Sequence, residues 1–164
     1  MSKTGSALDV FPAFWGPRVW IVGAHGGAGE STLAALDEGF AATNHRWPTI
    51  EDDDPSNLVL VVARTHAHGL ACAARVLGQW ASGDLPGLPL ELLGLVLIED
   101  APGKLPRELA DQVRISAGGA PRSWLVGFSP DIRVGLRPDP KVFSAVLAGI
   151  NQAVTTASMK GQQR

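Results

Sequence analysis

Tyrosine is absent from the 164 residues and cysteine occurs once, as Cys72. The first absence excludes hydride chemistry by a tyrosine–lysine pair. The second excludes an internal disulfide. Cys72 sits in Leu70-Ala71-Cys72-Ala73-Ala74, with no second thiol or adjacent base, and reads as a small buried hydrophobe rather than a redox centre. Charge is scarce too: 18% of residues are charged, against about 25% in average soluble chains. Fourteen basic and sixteen acidic side chains leave a net charge of -2, so no global field would hold a nucleic acid. The longest apolar runs, residues 58–63 and 92–98, fall well short of the roughly 18 residues that span a bilayer. Residues 1–9 lack the pattern of a signal peptide, so a soluble, cytoplasmic protein without a membrane partner is expected.

Hydrophobic residues, by contrast, make up 45% of the chain, ample for one core. A single α/β domain is expected over residues 18–158. It follows a loosely ordered segment, 1–17, that docks some of Val10, Phe11, Phe14 and Trp15, and it precedes a disordered tail, 159–164. Val19-Trp20-Ile21-Val22 predicts a strand that runs into Gly23-Ala24-His25-Gly26-Gly27-Ala28-Gly29. A helix is expected over 30–40, with Leu33, Leu36 and Phe40 on one face. Residues 44–56, with Trp47-Pro48 and the acidic run Glu51-Asp52-Asp53-Asp54, predict an exposed connection. Strands at 58–63, 93–98 and 124–128 then alternate with helices at 66–82 and 106–117. Asp139-Pro140 opens a last helix whose stripe is Val142, Val146, Ile150 and Ala153. Non-alternating apolar strands between helices indicate a three-layer sandwich: a mostly parallel sheet of four to five strands with helices on both faces. Ligands of such sheets bind beyond the carboxyl ends of the strands, which selects residues 23–31, 64–68, 99–104 and 129–139.

The glycine loop carries the most chemistry. Three glycines ahead of a helix let backbone N–H groups approach an anion closely. Ala24-His25-Gly26-Gly27-Ala28-Gly29-Glu30-Ser31 has the length, the glycine and the hydroxyl of the phosphate-binding pattern G-x-x-x-x-G-K-[ST], but Glu30 stands in place of the lysine. At 4 Å and an effective dielectric near 20, a unit attraction or repulsion is about 4 kcal/mol, so this exchange disfavours a triphosphate.

Strand, Gly26-Gly27-Ala28-Gly29, then Ser31-Thr32 opening a helix resembles the deviant Walker A loop of the ParA/MinD group of P-loop ATPases. The resemblance places His25 at the signature lysine that reaches across a nucleotide-sandwich dimer, Glu30 at the Walker lysine, and Ser31 at the magnesium-binding hydroxyl. Trp124-Leu125-Val126-Gly127-Phe128-Ser129-Pro130-Asp131 is similar to the last strand and the loop near the adenine base, which adds Pro130 and Asp131 to the anion- and nucleotide-binding set of residues 26–32. Between Phe40 and Leu58 there is no room for two strands and no apolar run ending in a Walker B aspartate. The resemblance therefore implies a shortened, non-hydrolytic relic. Such a relic acts as a binding or assembly module, with a homodimer or protein partner at the loop face, requires no cofactor, and is set in one state. Small ParA-like proteins of mobile elements are similar, implying a partition- or mobile-element-related setting.

Two alternatives use the same loop. Residual ATP or GTP binding with magnesium would use Ser31 and the loop N–H groups. Gly23, Gly26 and Gly29 also form G-x-x-G-x-x-G, the spacing of extended Rossmann proteins that bind NAD(P), although no acid ends a second strand at the required distance. Elsewhere His25, His66 and His68, with Glu99 and Asp100 nearby, have the composition of a zinc site, but the plainer reading is loop histidines and a helix cap, with no metal. Ser31, His25 and Asp100 lack the G-x-S-x-G elbow of a hydrolase, and no catalytic residue is assigned.

Overall fold

The computed structural model describes residues 7–13, 16–50, 57–87 and 89–162. Phe14, Trp15 and the acidic run 51–54 lie outside the described residues. The architecture is α/β. A parallel five-stranded sheet contains β2 (Val19–Gly23), β3 (Phe40–Ala42), β5 (Leu58–Arg64), β6 (Glu91–Ile98) and β7 (Ser123–Val126) in the order β3-β2-β5-β6-β7. Every neighbouring pair is parallel. Numbered among themselves, the strands run 2-1-3-4-5, one of the two common orders of doubly wound sheets, whose ligand crevice opens where the order reverses, here between β2 and β5.

Two cores flank the sheet because both faces of its central strands are apolar. On one face Ile21, Leu60, Val62 and Val96 meet Leu33 of α1 (Glu30–Ala34) and Val146, Ile150 and Ala153 of α5 (Ser144–Gly161). On the other, Val22, Val61, Leu95 and Leu97 meet Leu70, Ala73, Val76 and Leu77 of α2 (Ala67–Ala81), with Leu109 and Val113 of α3 (Arg107–Gly118) at the margin. By length and composition Pro140–Gly161 could cross a membrane. In this fold its apolar stripe, Val146, Ile150, Ala153 and Val154, is buried against the sheet. Asp139 caps the 3-10 turn Pro140–Phe143 that precedes it, accepting a hydrogen bond from Lys141 N–H at 2.9 Å.

Four expectations need correction. The helix expected over 30–40 ends at Ala34. Asp37 then accepts from Gly39 N–H at 2.7 Å and pairs with Arg18 at 2.9 Å, which turns the chain into β3. The stretch judged too short for two strands holds both β3 and β4 (Trp47–Thr49). β4 pairs in parallel with β1 (Val10–Pro12), in the segment expected to be loose. Phe11 docks edge-on against Trp20, with ring centroids 5.6 Å apart. Gln79 accepts from Leu8 N–H and Trp47 Nε1–H and donates to Leu8 O, which ties this segment to α2. Finally, α5 runs to Gly161, through part of the stretch assigned to the tail.

Candidate functional site

The loop after β2 crosses the reversal point of the sheet. Its first residue, Ala24, still pairs with the sheet through its N–H to Val62 O at 2.9 Å. Gly27 and Gly29 then adopt φ of 75° and 103°, the left-handed region that glycine enters without cost. A Cβ at Gly29 would also stand 2.6 Å from Ile98 Cδ1, so that side chain would have to shift. The turn leaves a fan of donors. Among the described residues, the N–H groups of Gly26, Gly27, Gly29, Glu30, Ser31 and Thr32 have no partner within the chain.

Glu30 is 7% exposed, and its carboxylate is saturated. Oε1 accepts from Gly23 N–H at 2.8 Å, Thr43 Oγ1–H at 3.0 Å and His45 N–H at 3.0 Å, while Oε2 accepts from Asn44 N–H at 3.1 Å. Asn44 and His45 both lie in the left-handed region, with φ of 56° and 57°, which turns two successive N–H groups toward one carboxylate. His45 Nδ1 completes the knot by donating to Gly23 O at 3.1 Å. Besides standing where the phosphate-binding pattern has its lysine, Glu30 thus fastens the end of β2 to the turn after β3. Gly23, the first glycine of the Rossmann-like spacing, is buried with its N–H committed to Glu30.

A cleft of about 250 Å³ opens beside the loop, lined by residues 27–32, Asn44, His45, Arg64 and Ile132. Six of the expected anion-site residues thus come together: Gly27, Ala28, Gly29, Glu30, Ser31 and Thr32. Gly26 is exposed outside the lining, and Pro130 and Asp131, on the short turn α4 (Pro130–Arg133), contribute only through their neighbour Ile132. Arg64, at the carboxyl end of β5, lays its guanidinium along the loop, donating from Nε to Gly27 O at 3.2 Å and from Nη1 to Glu99 O at 3.4 Å. Burial lowers its pKa from the usual arginine value, and Asp100 pushes it back up. The strand-end rule marked the segment 64–68, but the cleft role of Arg64 depends on parallel pairing of β2 with β5, which residue spacing does not display.

Three histidines cluster at the carboxyl ends of β2 and β5. His25 lies 5.2 Å from His66 and 5.8 Å from His68, centroid to centroid. Both of its ring nitrogens are occupied: Nδ1 donates to Gly26 O at 2.8 Å and Nε2 accepts from Arg64 N–H at 3.0 Å. It joins the loop to the end of β5, and burial lowers its pKa below 6.5, with like charge from His66 and His68 adding to the effect. His66 caps α2, its Nδ1 accepting from Gly69 N–H at 2.8 Å, as the helix-cap reading expected. Asp100 accepts from the buried Thr65 hydroxyl at 3.1 Å. His25 and Asp100, weighed with Ser31 as a hydrolase set, are thus bonded to groups other than Ser31. Among the described residues, no group of three or more His, Cys, Asp or Glu is arranged to hold a metal. Cys72 is buried as expected, but it is not without neighbours: His68 Nε2 is 3.5 Å and Arg75 Nη2 3.1 Å from its sulfur.

A second groove of about 500 Å³ shares Ser31 and Thr32 with the cleft and is walled by Ala35, Leu36, Leu136, Pro138 and Pro140. Leu136 in that wall is 61% exposed, and Val134, two residues before it in the chain, is 69% exposed. Residues 17–145 match the family described as "Family of unknown function (DUF6668)". No curated protein and no solved structure matches the chain. The matched span covers most of the sequence, and the chain belongs to that family.

Proposed function

We propose that this DUF6668 protein is a non-hydrolysing P-loop relic, ParA/MinD-like in descent, that works as a constitutive binding or assembly module. The observation that carries the reading is the saturated Glu30 carboxylate at the Walker-lysine position. A nucleotide switch needs a loop whose conformation depends on the ligand, because a ligand shifts an equilibrium only by its differential affinity for the two states. Here a side chain of the protein itself ties β2, α1 and the turn after β3 together, so the loop needs no triphosphate to hold its shape. Turnover also lacks a cation at position 30, and the strands flanking β2 end in Ala42 and Arg64, not in a metal-binding carboxylate. The strand order is common to doubly wound sheets in general, so descent from a P-loop protein is argued from the loop and not from the topology.

The partner favoured for the loop face is a second copy of the chain, supported by the exposed Val134 and Leu136 beside the groove. Exposed apolar side chains that form a contiguous patch are the usual mark of an interaction surface. Sedimentation velocity over a range of concentrations, with and without magnesium and ATP, tests the reading. Association that is the same in both conditions and weakened by Leu136→Asp is expected. Association that appears only with ATP would overturn it.

A further inference from the structure

We infer that His25 and His66 form a proton-operated latch, which holds the β2 loop and the first turn of α2 against the end of β5 at neutral pH and releases both in mild acid. The inference stands apart from descent and from nucleotide turnover, since it rests on which imidazole nitrogens accept hydrogen bonds and on what surrounds them.

Both rings hold backbone through a lone pair. The register between β2 and β5 ends at Gly23 and Val62, and His25 adds a side-chain rung beyond it: Nε2 accepts from Arg64 N–H at 3.0 Å while Nδ1 donates to Gly26 O at 2.8 Å. At the start of α2, His66 Nδ1 accepts from Gly69 N–H at 2.8 Å. The two holds adjoin, since a Cβ on Gly69 would stand 2.9 Å from His25 Nε2. An imidazolium donates from both nitrogens and accepts from neither. A proton on His25 Nε2 or on His66 Nδ1 therefore sets a donor against a backbone donor, and the backbone N–H loses its partner.

The surroundings couple the rings. His25, His66 and His68 lie 5.2, 5.8 and 6.2 Å apart, centroid to centroid. Further titratable or charged groups come from each neighbouring element: His45 after β3, Arg64 at the end of β5, Glu99 and Asp100 after β6, and Cys72 and Arg75 on α2. Neither carboxylate neutralises an imidazolium. Asp100 accepts from the Thr65 hydroxyl and Glu99 from Phe128 N–H, and among the described residues no histidine forms an ion pair. Charge on one ring is thus opposed by charge on the next, and acid acts on the cluster as a unit. Burial of His25 works in the same direction, holding its pKa below 6.5, so the latch is closed above pH 6.5 and opens as the pH falls toward the lowered value. Histidine clusters that exchange contacts for charge in this range are a recurring means of sensing pH.

Amide hydrogen exchange of the whole chain, followed by NMR from about pH 7.5 to about pH 5 and divided by the intrinsic rate at each pH, is the test. The opening constants at the Arg64 and Gly69 amides are expected to rise together by about tenfold or more across that range, while the Val61 amide in the middle of β5 keeps its protection. His25→Gln and His66→Asn keep a hydrogen-bonding side chain that does not titrate. Each is expected to reduce the rise, and the two together to abolish it. The readout is the change with pH, so a substitution that merely loosens the loop shifts the opening constant alike at every pH and leaves the rise in place. A rise below about threefold, a rise that either single variant leaves unaltered, or a parallel loss of protection at Val61, the sign of whole-chain unfolding, would overturn the inference.

Discussion

Replacing Glu30 by alanine leaves four donors without their acceptor: the N–H groups of Gly23, Asn44 and His45 and the hydroxyl of Thr43. Water reaches Asn44 and partly His45, whereas Gly23 and Thr43 are buried. A buried donor left unsatisfied costs roughly 1–3 kcal/mol, so the two inaccessible donors set a loss of about 2–6 kcal/mol, and the two solvated ones add little. That is a large share of the roughly 5–15 kcal/mol that holds a typical domain together. Glu30→Gln keeps one acceptor oxygen and is expected to lose about half as much. Glu30→Lys, the change that would restore the P-loop pattern, places an ammonium among N–H donors and is expected to be the least stable of the three. Urea unfolding followed by tryptophan fluorescence, with the slope compared across variants to confirm a common unfolding transition, measures the series. A loss under about 0.5 kcal/mol for Glu30→Ala would refute the assignment of Glu30 as the knot of the loop.

Other sites give independent checks. Gly69→Ala, in the first turn of α2, would normally favour a helix by about 1 kcal/mol, but the added Cβ meets Arg64 O and stands 2.9 Å from His25 Nε2. A net destabilisation of about 1–3 kcal/mol in urea melts is expected, and any gain in stability would contradict the packing. Gln79→Ala removes the acceptor of the buried Trp47 indole and both bonds to Leu8, with an expected cost of about 1–3 kcal/mol and faster proteolysis near the amino terminus. Because burial holds His25 below its unfolded pKa of 6.5, the unfolded chain takes up a proton that the folded chain refuses. Stability contributed by neutral His25 is therefore complete above pH 6.5 and falls as the pH drops through 6.5 toward the lowered folded value. A His25→Gln variant is expected to flatten that part of the profile, and an unchanged slope would refute it.

Much of the sheet was legible because its strands are runs of Val, Ile and Leu bounded by turns. The expected strands at 19–22, 58–63 and 93–98 fall within β2, β5 and β6, and the helix expected over 66–82 extends one residue beyond α2 at each end. Trp124 to Val126 lies in β7, although the expected strand ran on to Phe128. What escaped was the stretch from 35 to 49. β3 and β4 are three residues each, too short for alternation to register, and β4 contains Pro48, which suits only a strand with a free edge. The site divides in the same way. Residues 27–32 were visible as a loop pattern because their roles belong to the local backbone. Asn44 and His45 were not, and Arg64 was marked only as the start of the strand-end segment 64–68, since each reaches the loop through strand pairing or a left-handed backbone that ordinary side chains seldom adopt. The Glu30 substitution looked electrostatic in the sequence, and the structure gives it a conformational role as well.

The central claim is that the loop is held by its own carboxylate and does not turn over nucleotide. Steady-state release of phosphate from ATP with magnesium, measured on wild-type protein beside Ser31→Ala, tests it most directly. The account predicts the same background rate for both proteins. Turnover by the wild type that is abolished in Ser31→Ala would contradict it.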